Sequence, residues 1–250
     1  LLRRNIFYGN VIKVDLHFWG RRAELQTVID TFLKAWAYAA GRREELIGAF
    51  GDHLALSLTA LLIAVLLCVP LGIWTARSRG ERWQPAALAV MNTVNGLRVA
   101  PSLAVLFLLV PWLGLNAVSA GVALVVLALP PVLINTDAAF RGLDPAVLEA
   151  ARGMGMTARQ MLLRVELPLA LPVMLAGVRT AAVEVISSAT LAAFVGAGGL
   201  GIYVTRGFAM YDYAILLVGA APVALLTLTV EGLLAGLQKV VQPGAPRAAR

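Results

Sequence analysis

Five stretches of the chain are apolar over lengths that a soluble helix does not need. Leu54–Ala76, LALSLTALLIAVLLCVPLGIWTA, carries no charge. Val94–Leu113 is apolar after a start that holds Asn95, Arg98 and Pro101, and residues 85–93 extend it as an interfacial helix. Ala117–Asn135 follows, then Leu169–Ala193, interrupted by Arg179 and Glu184, then Tyr213–Leu234. A helix crosses a bilayer with about 20 mostly apolar residues. The pattern predicts an all-α polytopic membrane protein with five transmembrane helices. The N-terminal segment leaves a sixth open.

In that segment Leu25, Val28, Ile29, Phe32, Trp36 and Ala39 recur at helical spacing, with Glu24, Gln26, Asp30 and Lys34 between them. This is an amphipathic helix, lying in the membrane interface or packed on the protein's own surface. Asp30 and Lys34 argue against a span. Residues 1–14 lack the unbroken apolar core of a signal peptide. The expected organisation is an N-terminal extension over 1–50, a membrane domain over 51–236 with a polar loop at 136–168, and a tail over 237–250. The end of that tail, QPGAPRAAR, reads as disordered.

Composition agrees with the pattern. Of 250 residues, 60% are apolar and 14% charged, and the mean hydropathy is +0.81. Soluble domains carry about 45–50% apolar and about 25% charged residues, so a soluble enzyme and a disordered chain are both excluded. Basic residues outnumber acidic ones, 21 to 14. In so apolar a chain this excess points to basic cytoplasmic loops rather than to nucleic acid. Arg77, Arg79 and Arg82 follow the first span. Arg141, Arg152, Arg159 and Arg164 lie in the 136–168 loop, and Lys239, Arg247 and Arg250 in the tail. With five spans all of these fall on one side, and the opposite loops carry only Arg206. That side is expected to be the cytoplasm, with the N-terminus outside. Residues 1–53, with eight basic and six acidic residues, object, but long segments weigh less in this rule.

The polar loop is the most informative segment. Asp144–Pro145 starts a helix, with Asp as cap and Pro in the first turn. Gly153 and Gly155 end it, since Gly adopts the left-handed cap cheaply. Thr157 and Gln160 form a capping box for a second short helix that Pro168 is expected to end. Small Ala150 and Ala151 would let another protein's backbone approach.

Here the chain resembles the permease subunits of bacterial ABC importers. Glu149-Ala150-Ala151, Gly155 after three residues, and Val165-Glu166-Leu167-Pro168 after nine more match that family's EAA loop. Val165 stands where Ile is commoner. The likeness covers roughly residues 42–240. It includes Arg98-Val99-Ala100-Pro101-Ser102, like the Pro-broken second span, and the run from Thr190 to Gly201, TLAAFVGAGGLG. Together with Leu143-Asp144-Pro145 and Gly153-Met154-Gly155-Met156, these are most like the osmoprotectant importers for glycine betaine, choline, carnitine and proline betaine. Methionine importers share the Gly-rich stretch.

The resemblance implies a subunit of the bacterial inner membrane that dimerises, as homo- or heterodimer, around a translocation pathway. It implies a cytoplasmic ATP-binding subunit on the loop and an extracytoplasmic substrate-binding protein on the other side. The coupling residues would be Glu149, Ala150, Ala151, Gly155, Val165, Leu167 and Pro168. Beyond membrane lipid no further partner is implied, and no nucleic acid.

Other chemistry is sparse. Gly196-x-Gly198-x-x-Gly201 fits a dinucleotide string but follows an apolar helix, so it reads as a tight turn or re-entrant backbone. No GxxxxGK[ST] occurs, so this chain is expected to bind no cofactor and to take its ATP chemistry from the partner subunit. Cys68 is alone, and His17 and His53 lie outside the apolar runs, so neither disulfide nor metal site is expected. An intramembrane enzyme would need a catalytic pair at depth, yet no His lies in a predicted span and Asp137 has no intramembrane Asp partner. Asn95, Arg98, Arg179 and Glu184 remain as polar residues of the pathway or of a subunit interface. Arg179 and Glu184 are five apart, about 80° off a shared helix face, so their pairing would be imperfect. No cage of aromatic faces is evident among the five Trp. The rival readings are a permease for methionine or a sulfonate, an intramembrane enzyme, and a membrane scaffold.

Overall fold

The computed structural model describes residues 18–78 and 82–242. Residues 1–17, Arg79 and the tail from 243 on, with Arg247 and Arg250, lie outside the described residues, as do the side chains of Glu24 and Leu25. The described elements are all helical: α1 (Phe18–Gly41), α2 (Arg43–Arg77), α3 (Gln84–Leu97), α4 (Ser102–Leu113), α5 (Ala117–Arg141), α6 (Pro145–Gly153), α7 (Ala158–Met161), α8 (Leu167–Ser188), α9 (Gly201–Ala209) and α10 (Tyr213–Val241). Arg43–Arg77, Ala117–Arg141, Ala158–Val195 and Tyr213–Val241 are each long and apolar enough to cross a bilayer. The α3–α4 pair, bent by 105°, makes a fifth if taken as one span. The N-terminal α1 is not among them.

The chain path follows from contacts between distant residues. Near their starts, α2 and α5 meet where a Cβ on Gly121 would touch Leu56. Near their ends, Arg141 Nη2 donates to the Thr75 carbonyl at 2.9 Å. The two helices are therefore parallel, and the α3–α4 pair must return the chain to the end where α2 began. Helix α8 runs back along α5, with Ala170 and Met174 packed beside Phe140 near its start and Val185 among Ala60 and Leu124 further on. Helix α10 reverses again: Ile215 packs by Ile186, and Gln238 bonds the Pro172 carbonyl at 3.1 Å. The bundle thus has a basic end, with Arg77, Arg141 and Lys239, and an opposite end, with Gly114, α9 and Asp212.

Small residues let the helices close. Ala60, Ala64, Ala128 and Ala181 are almost wholly buried. A Cβ on Gly72 would lie 2.7 Å from Thr136 Cβ, and one on Gly177 would lie 2.5 Å from the Pro131 carbonyl. Between helices in lipid there is little hydrophobic driving force, so such backbone approach carries the packing.

Several elements outrun their apolar stretches. Helix α2 begins at Arg43 rather than Leu54, because Ala49, His53 and Ser57 continue its buried stripe and Glu44 and Glu45 suit its first turn. His53 is consequently inside the helix and fully buried, contrary to the expectation that no His lies in a span. The boundary expected at 50/51 falls within α2. Helix α5 runs to Arg141, so the polar loop starts at Gly142 and not at Thr136. Asp137 and Arg141 pair at 2.6 Å across one turn, which keeps this polar stretch helical. Pro168 does not end a short helix. Residues 162–166 form a π-turn, in which the Leu167 N–H reaches back to the Leu162 carbonyl, and α8 follows directly. The widened turn makes room for the proline ring. At the C-terminus α10 continues through Val241, into the segment expected as tail.

The N-terminal helix forms as its periodicity predicts. Ala35 is buried, and with Tyr38 and Ala39 it belongs to the cluster formed by α9 and the start of α10. Val28, Ile29, Phe32 and Trp36 stay exposed, so the larger apolar residues are not those that pack on the protein's own surface.

Candidate functional site

At the basic end the short helix α6 projects beside the bundle. Asp144 Oδ1 accepts from the Ala146 N–H at 2.9 Å, and Pro145 occupies the first turn. At its far end Gly155 takes φ +77°, with its N–H bonded to the Arg152 carbonyl and the Met156 N–H bonded to the Ala151 carbonyl. This is a left-handed helix cap, which disfavours any residue with a Cβ. Gly153 ends the helix without a positive φ. Thr157 and Gln160 form the capping box foreseen from the sequence, at 2.9 and 3.3 Å.

Beneath α6 lies a cleft of about 390 Å³, lined by Arg77, Phe140, Leu148, Glu149, Arg152 and Glu166 among others. Its floor is an ion pair between Arg77 and Glu166, with Glu166 buried and Arg77 half-exposed. The Arg77 guanidinium also lies 6.0 Å from the Phe140 ring centre. Glu149 and Ala150 are exposed on α6. Ala151 is not: it is 1% exposed and turned into the protein. Of the two alanines expected to admit a partner's backbone, only Ala150 is open at the surface. Val165 and Leu167 are half-buried in and after the π-turn, and Pro168 is exposed.

The sequence passed over Glu166 and Arg77 as a unit. In the sequence Glu166 reads as part of the EAA loop and Arg77 as a charge at the end of a span. A lone acid between Val165 and Leu167 does signal a need for a cation, but nothing local points to one 89 positions away.

The four polar residues within the apolar stretches separate. Arg179 bonds α10, with Nε 3.1 Å from Glu231 Oε1 and Nη1 donating to Gln238 Oε1 at 3.0 Å. It is thus a tie between α8 and α10. Glu184 and Arg98 instead line one cavity at the α3–α4 bend. Asn95 is exposed on α3 beside the buried Val94.

At the opposite end the residues of TLAAFVGAGGLG form a 3-10 turn over Ala189–Val195 and a glycine turn in which Gly196, Gly198 and Gly199 all have positive φ. A Cβ on Gly199 would lie 3.3 Å from His53 Nδ1, and His53 Nε2 lies 3.0 Å from the Ile186 carbonyl. The string is a packed turn on α2 rather than a strand-to-helix nucleotide loop. Nearby, Arg42 stacks 4.3 Å from the Tyr38 ring centre. Arg206 donates to the Tyr38 hydroxyl at 3.3 Å, which is the chief reason its guanidinium is held above its ordinary pKa. Among the described residues no group of His, Cys, Asp or Glu could hold a metal ion.

Residues 68–244 match the family described as binding-protein-dependent transport system inner membrane component. The chain is 41% identical over 199 residues to the carnitine transport permease protein OpuCB of Listeria monocytogenes, covering 80% of this chain and 89% of that one. It is 38% identical, over the same shares, to the glycine betaine/carnitine/choline transport system permease protein OpuCB of Bacillus subtilis. Among solved structures it is similar to an inward-facing form of the MetNI methionine ABC transporter, with TM-score 0.72, 23% identity, and coverage of 80% of this chain and 98% of that one.

Proposed function

Because this chain belongs to the family of binding-protein-dependent transport system inner membrane components, we propose that it imports a quaternary ammonium osmoprotectant and is driven through α6 by a cytoplasmic ATP-binding subunit. As a permease subunit of an ABC importer in the inner membrane it is a transporter component and not an enzyme. The substrate class rests on relatives whose names specify carnitine, glycine betaine and choline transport.

The observation that carries the coupling role is the geometry of α6. It is short, capped at both ends and exposed along Glu149 and Ala150. Across the cleft from it, the Arg77–Glu166 pair ties the end of α2 to the turn that starts α8. A push on α6 would therefore reach both α2 and α8. This chain and a second permease subunit, alike or different, alternately closed and opened by ATP binding and hydrolysis on their partners, would give alternating access. The basic end faces the cytoplasm in this reading, and a binding protein delivers solute to the opposite end.

The test is to purify the chain with an ATP-binding subunit and a binding protein from the same cells. ATP hydrolysis in proteoliposomes should rise several-fold with the binding protein loaded with glycine betaine, choline or carnitine. Copurification with stimulation by methionine alone would overturn the substrate. Failure of the chain to hold any ATP-binding subunit would overturn the coupling.

A further inference from the structure

The α3–α4 bend opens a cavity of about 190 Å³ lined by Leu97, Arg98, Leu127, Pro130, Pro131 and Glu184. Its ionisable lining is one cation and one anion, contributed by different elements: Arg98 from the bend and Glu184 from α8. Their charges act on each other, yet they make no ion pair within 4.0 Å, unlike Arg77–Glu166 or Arg179–Glu231. A gap separates two opposite charges that would otherwise close on each other.

Depth makes the gap significant. Glu184 lies about 25 Å along the helix from Leu167, and α3 carries the chain about 20 Å from Gln84 before the bend. In a hydrocarbon layer of about 30 Å measured from those points, both groups lie within the layer and beyond its midplane. Both are exposed on the single chain. Charged side chains at such depth face a bundle interior or a water-filled path rather than lipid. Pro130 and Pro131 add polarity to the wall, since neither has an N–H to give to the carbonyls one turn earlier in α5.

We propose that this cavity is a transit site for a zwitterionic solute, whose carboxylate meets Arg98 and whose quaternary ammonium meets Glu184. The proposal rests on the osmoprotectant reading above. The absence of aromatic faces from the lining suits a site that must release its solute, because transport requires binding weak enough to leave. Glycine betaine and carnitine carry both charges, whereas choline carries only the cation, so the site treats them differently.

The experiment uses the whole transporter in proteoliposomes, with labelled glycine betaine and labelled choline. Arg98→Gln should shift the ratio of initial uptake rates at least tenfold toward choline, and Arg98→Lys should restore much of it. Glu184→Gln should lower uptake of both. An unchanged ratio in Arg98→Gln, at normal abundance and with normal stimulated ATP hydrolysis, overturns the proposal. A second arm places Glu184→Cys in a Cys68→Ala background and applies a trimethylammonium methanethiosulfonate from the aqueous phase. Labelling is expected, and a thiol inert in the assembled transporter overturns the site whatever the solute. If the wild type takes up neither solute, the substrate reading falls, while the labelling arm still decides whether the cavity is open to water.

Discussion

The Arg77–Glu166 pair shows how one buried charge organises the basic end. Glu166 is 6% exposed at its side chain and Arg77 42%. Removing the cation leaves a buried carboxylate without its partner, which costs about 3–5 kcal/mol when both groups are buried. With Arg77 half in water, Arg77→Ala should fall at the low end of that range in a detergent unfolding titration. Arg77→Ala combined with Glu166→Gln should recover most of the loss, and strict additivity of the two changes would mean that the pair does not interact. On α6 the alanines divide by direction. Ala151→Arg must push a guanidinium into a buried position, so it should lower the amount of chain in the membrane. Ala150→Arg should leave abundance unchanged and lower substrate uptake at least tenfold by blocking the docked ATP-binding subunit. Unchanged abundance and unchanged uptake for both would separate α6 from coupling. A Cβ at Gly155 would meet nothing within 4 Å, so Gly155→Ala should cost only the left-handed strain of about 1–2 kcal/mol.

The α3–α4 pair departs furthest from a straight span. The residue before a proline avoids helical backbone, and Ala100 precedes Pro101, which is extended at ψ 130°. Three successive short bonds, from Arg98 to Asn95, Val99 to Gly96 and Ala100 to Leu97, tighten the chain just before it. Pro101→Ala removes the restriction on Ala100 and should straighten the pair. Spin labels at Gln84 and Leu113 should then move from roughly 25 Å apart toward about 45 Å, the length of a continuous helix. No change would assign the bend to packing on α5 rather than to the proline. The π-turn before Pro168 is the same principle in milder form: the helix widens by one residue and continues.

Across the whole molecule, parallel α2 and α5 together with reversed α8 place Arg77, Arg141 and the 142–166 loop at one end, while Arg42 and Arg206 lie at the other. If that end faces the cytoplasm, cysteines at Ser78 and Thr157 in a Cys68→Ala background should require a membrane-permeant reagent in intact cells. Ready labelling of both from outside would invert the orientation. The division of labour with a binding protein also predicts that the isolated chain in detergent binds glycine betaine or choline weakly. Calorimetric affinity tighter than about 10 µM, or roughly −7 kcal/mol, would contradict it.

Much of this architecture was legible in the chain because its determinants are local. Apolar run length marked the helices that can cross. Asp144, Gly155 and the Thr157–Gln160 box announced α6 and its turn, since caps bond residues two to five positions away. The helix ends were not legible. Polar segments at 43–53 and 136–141 also engage other helices, where His53 finds the Ile186 carbonyl and Arg141 finds Thr75. The same reason hid the Arg77–Glu166 pair, the Arg179 tie to α10, the inward turn of Ala151, and the cavity that Arg98 and Glu184 share. Hydropathy and capping are written within one or two turns of the chain, whereas these pairings arise when α2, α5 and α8 pack closely enough on their small residues to bring distant charges within reach.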